Sequence, residues 1–192
     1  MIPNKINESL LDTFYNYFLL AIKMYDKSKS LKDIIIQQKV FKRFAYDFIS
    51  QRSNTNLFVS HKALSKYPDD YRVNKNLTSD HTLRPSSYFF EMILSPEYRK
   101  KYLDKNLISK LLNINTICCR VLKEENRKLQ SLNSKSNITC TTKDLYEKAN
   151  IKVYEYDKPS VDINYYTPAF NLLPIEVQED ITRYENSLIV NN

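Results

Sequence analysis

The sequence predicts an α+β fold, and three patterns carry that prediction. Apolar residues recur at helical spacing through roughly the first fifty positions, a short strand-like run stands at 57–60 and a β-branched one at 117–122, and a helical stretch separates two of the expected strands. The expected layout is a helical N-terminal pair at 1–56, a strand-strand-helix core with a helical insertion between its strands at 57–158, and a wrapping C-terminal segment at 159–192. A chain of 192 residues suffices for one well-buried core, so one compact unit is expected.

In chain order, Leu10, Leu11, Phe14, Tyr17, Phe18, Ala21, Ile22 and Tyr25 mark a first amphipathic helix. Leu31, Ile34, Ile35, Phe41, Phe44, Ala45 and Phe48 mark a second, joined to the first by a short polar loop that makes the two antiparallel. A strand is expected at 57–60, then a helical turn capped by Ser60 and a turn at Pro68-Asp69-Asp70. The chain should become extended again near 71–77 and end in Asp80-His81. Helices are expected at 88–94 and up to Asn113, a strand at 117–122 and a helix at 123–132. Beyond these come a short strand near 138–140, a short helix starting near 142, an alternating strand at 151–156, an extended run at 159–173 and a helix from Pro174 to Glu185.

Composition excludes several classes. The chain has no glycine, which rules out the glycine-rich loops that cradle nucleotide phosphates and leaves left-handed backbone positions to Asn and Asp. Three cysteines, two of them adjacent, form neither a disulfide framework nor a Cys-x-x-Cys zinc pair. No apolar run spans a bilayer, and the polar N-terminus lacks a signal segment, so a cytoplasmic location and no membrane partner are expected. The net charge of +7 favours a polyanionic partner.

The stretch from Leu77 to Leu132 carries the residues suited to chemistry. Asp80 offers hard carboxylate oxygen to Mg²⁺ or Mn²⁺, and His81 titrates near neutral pH and suits a general base. Adjacent on an extended stretch, their side chains diverge. Asn126, early in the helix that follows the second strand, is the candidate second metal ligand, with Glu125 as its replacement. Arg84, Lys123, Arg127 and Lys128 are candidates for phosphate contact.

Residues 78–85 (Thr-Ser-Asp-His-Thr-Leu-Arg-Pro) and 122–129 (Leu-Lys-Glu-Glu-Asn-Arg-Lys-Leu) resemble the first strand and the helix of the HNH endonuclease family, whose fold is a ββα-metal motif. The resemblance covers about a quarter of the chain and implies a divergent member without the zinc-binding cysteine pairs. It implies Asp80 and Asn126 as metal ligands, His81 as base and Asn115 or Asn113 as the residue bracing the loop near the base. It also implies a divalent-metal-dependent DNA endonuclease that leaves 5′-phosphate and 3′-hydroxyl ends. A homodimer is compatible with this reading. The alternative is a non-enzymatic nucleic-acid-binding or virion structural protein of a phage or mobile element, which the basic charge and helical N-terminus serve without a metal. A third reading has tyrosines such as Tyr154, Tyr156, Tyr165 and Tyr166 stacking on RNA bases, and core packing explains them more simply.

Overall fold

The computed structural model describes residues 7–28, 30–50, 55–83, 92, 96–132, 140–157 and 167–190. The fold is α+β, with helices and a four-stranded mixed sheet. By proximity along and across the backbone the chain divides into two compact units: Met1–Ser53 with Arg84–Thr116, and Asn54–Leu83 with Ile117–Asn192. This grouping joins the insertion to the N-terminal helices, whereas the sequence places it inside a 57–158 core.

The first unit is helical. Helix α1 (Glu8–Lys27) starts at Asn7, whose side chain accepts a hydrogen bond from the Ser9 amide, and buries Leu11, Phe14, Phe18 and Ile22 along one stripe. Helix α2 (Leu31–Ser50) answers with Phe41 and Phe44, and the ring pairs Phe14–Phe44 and Phe18–Phe41 run in opposite chain directions, the register of an antiparallel pair. Helices α3 (His61–Lys66) and α4 (Pro96–Tyr102) come next in the chain, α3 in the second unit and α4 in the first. Helix α5 (Lys105–Ile114) begins at Asp104, which caps the Leu107 amide at 2.7 Å. The joint between α4 and α5 is tied to α1 by the Tyr15 hydroxyl donating to the Leu103 carbonyl, by an Arg99–Asp26 ion pair at 2.7 Å and by a Lys105–Asp12 ion pair.

The second unit is built on the sheet, in the order β2-β3-β1-β4. Strand β3 (Ile117–Leu122) is central, buried on both faces apart from Arg120, and pairs parallel with β1 (Thr55–Ser60) and antiparallel with β2 (Leu77–His81). The register sets Asp80 opposite Cys119 and His81 opposite Cys118. Strand β4 (Val153–Glu155) pairs antiparallel with β1 on the far side. Helix α6 (Lys123–Leu132) follows β3 directly and packs against β2 and β3. On its side of the sheet Cys119, Val121 and Leu129 form a core with Tyr146 of α7 (Leu145–Lys148), Ile151 and Val153. On the other face Val59, Ala63, Tyr71, Leu77 and Leu122 form a second core. The last helix, α8 (Ile175–Val190), is fastened by Glu185, a buried carboxylate that accepts from the Thr142 amide at 2.7 Å and from the Thr142 hydroxyl.

Several expected elements shift. Tyr71–Val73 lie in a turn rather than a strand, because the Tyr71 and Val73 amides donate back to the Tyr67 and Asp70 carbonyls, and Arg120 of β3 donates to the Tyr71 and Asn74 carbonyls from across the sheet. The strand expected at 151–156 narrows to 153–155, where β1 is available to pair. The short helix expected from Thr142 starts at Leu145, since Thr141, Thr142 and Thr167 are engaged in hydrogen bonds of the preceding turn. Residues 170–172 form a 3₁₀ turn within the run expected to be extended, and the final helix runs on to Val190 with Pro174 just outside it. The helix expected at 88–94, apart from Met92, and the strand expected at 138–140, apart from Cys140, lie outside the described residues. Asn150, after α7, takes a left-handed φ of 53°, the role that a chain without glycine gives to Asn.

Candidate functional site

Asp80 and His81 end an edge strand. Alternation along β2 sends their side chains to opposite faces, as expected of neighbours on a strand. Asp80 shares a face with Cys119 and accepts a hydrogen bond at 2.7 Å from the hydroxyl of Tyr146, which is fully buried. Burial pushes the Tyr146 hydroxyl well above its ordinary value, and the adjacent Asp80 carboxylate adds to the shift, so the phenol stays protonated and donates. Asp80 thus faces the core to which Leu129 of α6 belongs.

His81 stands on the other face, half-buried, with Nδ1 3.5 Å from the Cys118 sulfur. Burial, and secondarily Asp80, pushes the Cys118 thiol up to about 12, so the imidazole has a neutral S–H beside it. Burial likewise raises the Cys119 thiol well above its ordinary range, with Asp80 and Glu125 next in effect.

The two candidates on α6 occupy different positions. Glu125, only 5% exposed, stands at the third position of the helix, where Oε2 accepts from the Leu122 amide at 3.0 Å and from the Ser60 hydroxyl at 2.5 Å. That oxygen closes the first turn of α6 in the manner of a capping box. Asn126 is half-buried and lies one turn before Leu129, on the flank of the buried face. The strand that carries Asp80 and the helix that carries Asn126 are in contact, while Glu125 is held at the helix start.

Asn115 lies in the helical unit, buried at the end of α5, with its side-chain amide donating to the Leu111 carbonyl at 2.8 Å. Lys123, Arg127 and Lys128 are exposed on α6, and Arg84 lies outside the described residues. Among the described residues no group of three or more His, Cys, Asp or Glu side chains converges in a way that could hold a metal ion. A site here would have to draw on an amide oxygen and water. No described helix is long and apolar enough to cross a membrane.

Tyr146 and Ser60 are the neighbours that periodicity did not single out for the site. Ser60 is expected as a helix cap, and it does accept from the Ala63 amide at 3.1 Å. Its second bond, to Glu125, spans 65 residues. Comparison with models of protein families, with curated proteins and with solved structures finds no match to this chain.

Proposed function

We propose that the protein is a divalent-metal-dependent DNA endonuclease, with Asp80 as a metal ligand, Asn126 as the accompanying oxygen donor and His81 as the general base. The observation that carries this reading is the succession of β2, β3 and α6, in which the strand bearing Asp80 is antiparallel to the next and packs against the helix bearing Asn126. Two hard oxygen donors with the remainder water suit Mg²⁺, which keeps several waters in protein sites. A bound Mg²⁺ would neutralise charge at the phosphate and the leaving oxygen.

The chain's own groups divide the other tasks. The Tyr146 hydroxyl holds the Asp80 carboxylate in orientation, as outer partners of ligating carboxylates do. In the tautomer where Nδ1 donates to the Cys118 sulfur, Nε2 of His81 carries the lone pair that takes a proton from water. The resulting hydroxide attacks phosphorus, the bond to the 3′ oxygen breaks, and that oxygen takes up a proton. Glu125 is left out of the ligand set, because its carboxylate is engaged in closing α6. Asp80 and His81 face opposite sides of the sheet, so acting together on one phosphodiester requires it to lie across the rim where β2 ends.

The test is nicking of supercoiled plasmid in Mg²⁺. Wild type nicks, and His81→Ala loses on the order of a hundredfold or more in rate, the contribution of a positioned base. Equal cleavage by both rules out His81 in this role. Absence of cleavage by wild type favours the second reading, a non-enzymatic nucleic-acid-binding protein in which the bond from the buried Tyr146 makes Asp80 a structural group.

A further inference from the structure

The formal charge of the chain is partitioned between its units. Residues 1–53 and 84–116 hold 15 Lys and Arg against 8 Asp and Glu, whereas residues 54–83 and 117–192 hold 14 against 14. The whole net charge of +7 therefore belongs to the helical unit, and the unit with the Asp80–His81 rim is neutral.

Within the helical unit the placement of charge is uneven. Asp12 and Asp26 of α1 are engaged by Lys105 and Arg99. On α2, Lys32, Lys39 and Arg43 are exposed and recur at intervals of seven and four residues. That spacing puts them on one line along the side opposite Phe41, the ring packed onto Phe18 of α1. At a helical rise of about 1.5 Å per residue the line is about 16 Å long. Exposed Leu31 and Ile35 flank it on one side, Ile36 and Val40 on the other. A helix that lies in a membrane surface gathers its apolar residues on one face and its cations on the opposite one. Here the cations run between two apolar flanks, so this side of α2 is not the continuous apolar face that a bilayer receives.

We propose that this outer line of α2 is the docking surface for the phosphates of duplex DNA. Duplex DNA is the polyanion favoured, because it is a straight rod with one charge per about 1.7 Å of axis, so each cation of a row spaced about 10 and 6 Å apart on a rigid helix has a phosphate within reach. The proposal deepens the nuclease reading by assigning its DNA-holding surface, and it rests on that reading only for the identity of the partner. It requires neither the metal nor Asp80 and His81.

The experiment measures binding of the full chain to a labelled duplex of arbitrary sequence by fluorescence anisotropy, in EDTA and over a series of salt concentrations. For wild type, affinity falls steeply as salt rises. The variant K32Q/K39Q/R43Q lowers the slope of log affinity against log salt by about 2.7, at about 0.9 for each phosphate no longer neutralised. K62Q/K143Q/K148Q, three exposed positions of the neutral unit, leaves the slope unchanged. Should the triple variant on α2 melt early, K39Q alone answers the same question with a drop of about 0.9. An unchanged slope on neutralising α2, an equal drop in the other variant, or tighter binding to phosphatidylserine vesicles than to the duplex overturns the proposal. Normal binding without nicking overturns only the nuclease reading, and normal nicking with an unchanged slope overturns only this one.

Discussion

Cys118 and Cys119 are neighbours on a buried strand, and both are held as thiols by their surroundings, Cys118 beside His81 and Cys119 on the Asp80 side. The consequence for stability has a definite sign. The Cys118 thiol sits at about 12 in the folded chain against about 9 in an unfolded one, so between those values the unfolded chain has lost a proton that the folded chain keeps. Its contribution to stability is therefore complete below about pH 9 and is lost as pH rises toward 12, at up to about 1.4 kcal/mol per pH unit. Urea denaturation in EDTA between pH 8 and 11 should show a steeper fall for wild type than for Cys118→Ser, and parallel curves would refute the assignment. The residue scale is also where the sequence was most informative about the candidate site. Adjacency of Asp80 and His81 on an extended stretch is enough to send them to opposite faces. The sulfur beside His81 was not legible, because it depends on the register of β2 against β3 across 37 residues.

At the scale of elements, helix starts are held by side chains that link parts of the chain remote in sequence. Ser60 caps α3 and donates to Glu125, and Glu125 in turn accepts the Leu122 amide at the start of α6. Removing the carboxylate leaves a buried hydroxyl and a buried amide without that acceptor, so Glu125→Ala should cost about 3 kcal/mol in urea denaturation. Glu125→Gln retains an acceptor and should cost about 1 kcal/mol. A loss under about 0.5 kcal/mol for Glu125→Ala would mean that this carboxylate does not hold the helix. The α1–α2 pair and α6 were legible because an apolar stripe at helical spacing needs no knowledge of its partner. Glu125 was not, since a carboxylate near a helix start serves equally as cap or metal ligand until its neighbour Ser60 is known. The same limit explains the turn at 71–73, which is held partly by Arg120 from a strand almost fifty residues away.

At the scale of the whole molecule, strand order is the feature that local pattern could not supply. β1 lies between β3 and β4 and runs parallel to β3, so two strands separated by more than fifty residues form the middle of the sheet. β2 and β3, by contrast, form an opened hairpin. Beyond the last ladder pair, His81 with Cys118, the Thr82 amide still donates to the Ile117 carbonyl at 3.2 Å. Thr82 and Ile117 are thus already close enough to be joined by a tight turn, and antiparallel neighbours need no longer connection. A chain comprising residues 54–192 with 84–116 replaced by Asn-Gly would close through a three-residue loop, Leu83-Asn-Gly, whose glycine supplies the left-handed position such loops require. It should retain both faces of the sheet, because the cores around Cys119 and around Val59 are drawn from residues it keeps. Its formal net charge at neutral pH would be zero, the charge of the second unit, so it should also lose the salt-dependent duplex affinity assigned to α2. Circular dichroism and urea denaturation would then show one cooperative transition, alongside no duplex binding in EDTA. An unfolded product would mean that the sheet unit depends on the helical one, and a folded product that still binds DNA would move the docking surface onto the sheet unit.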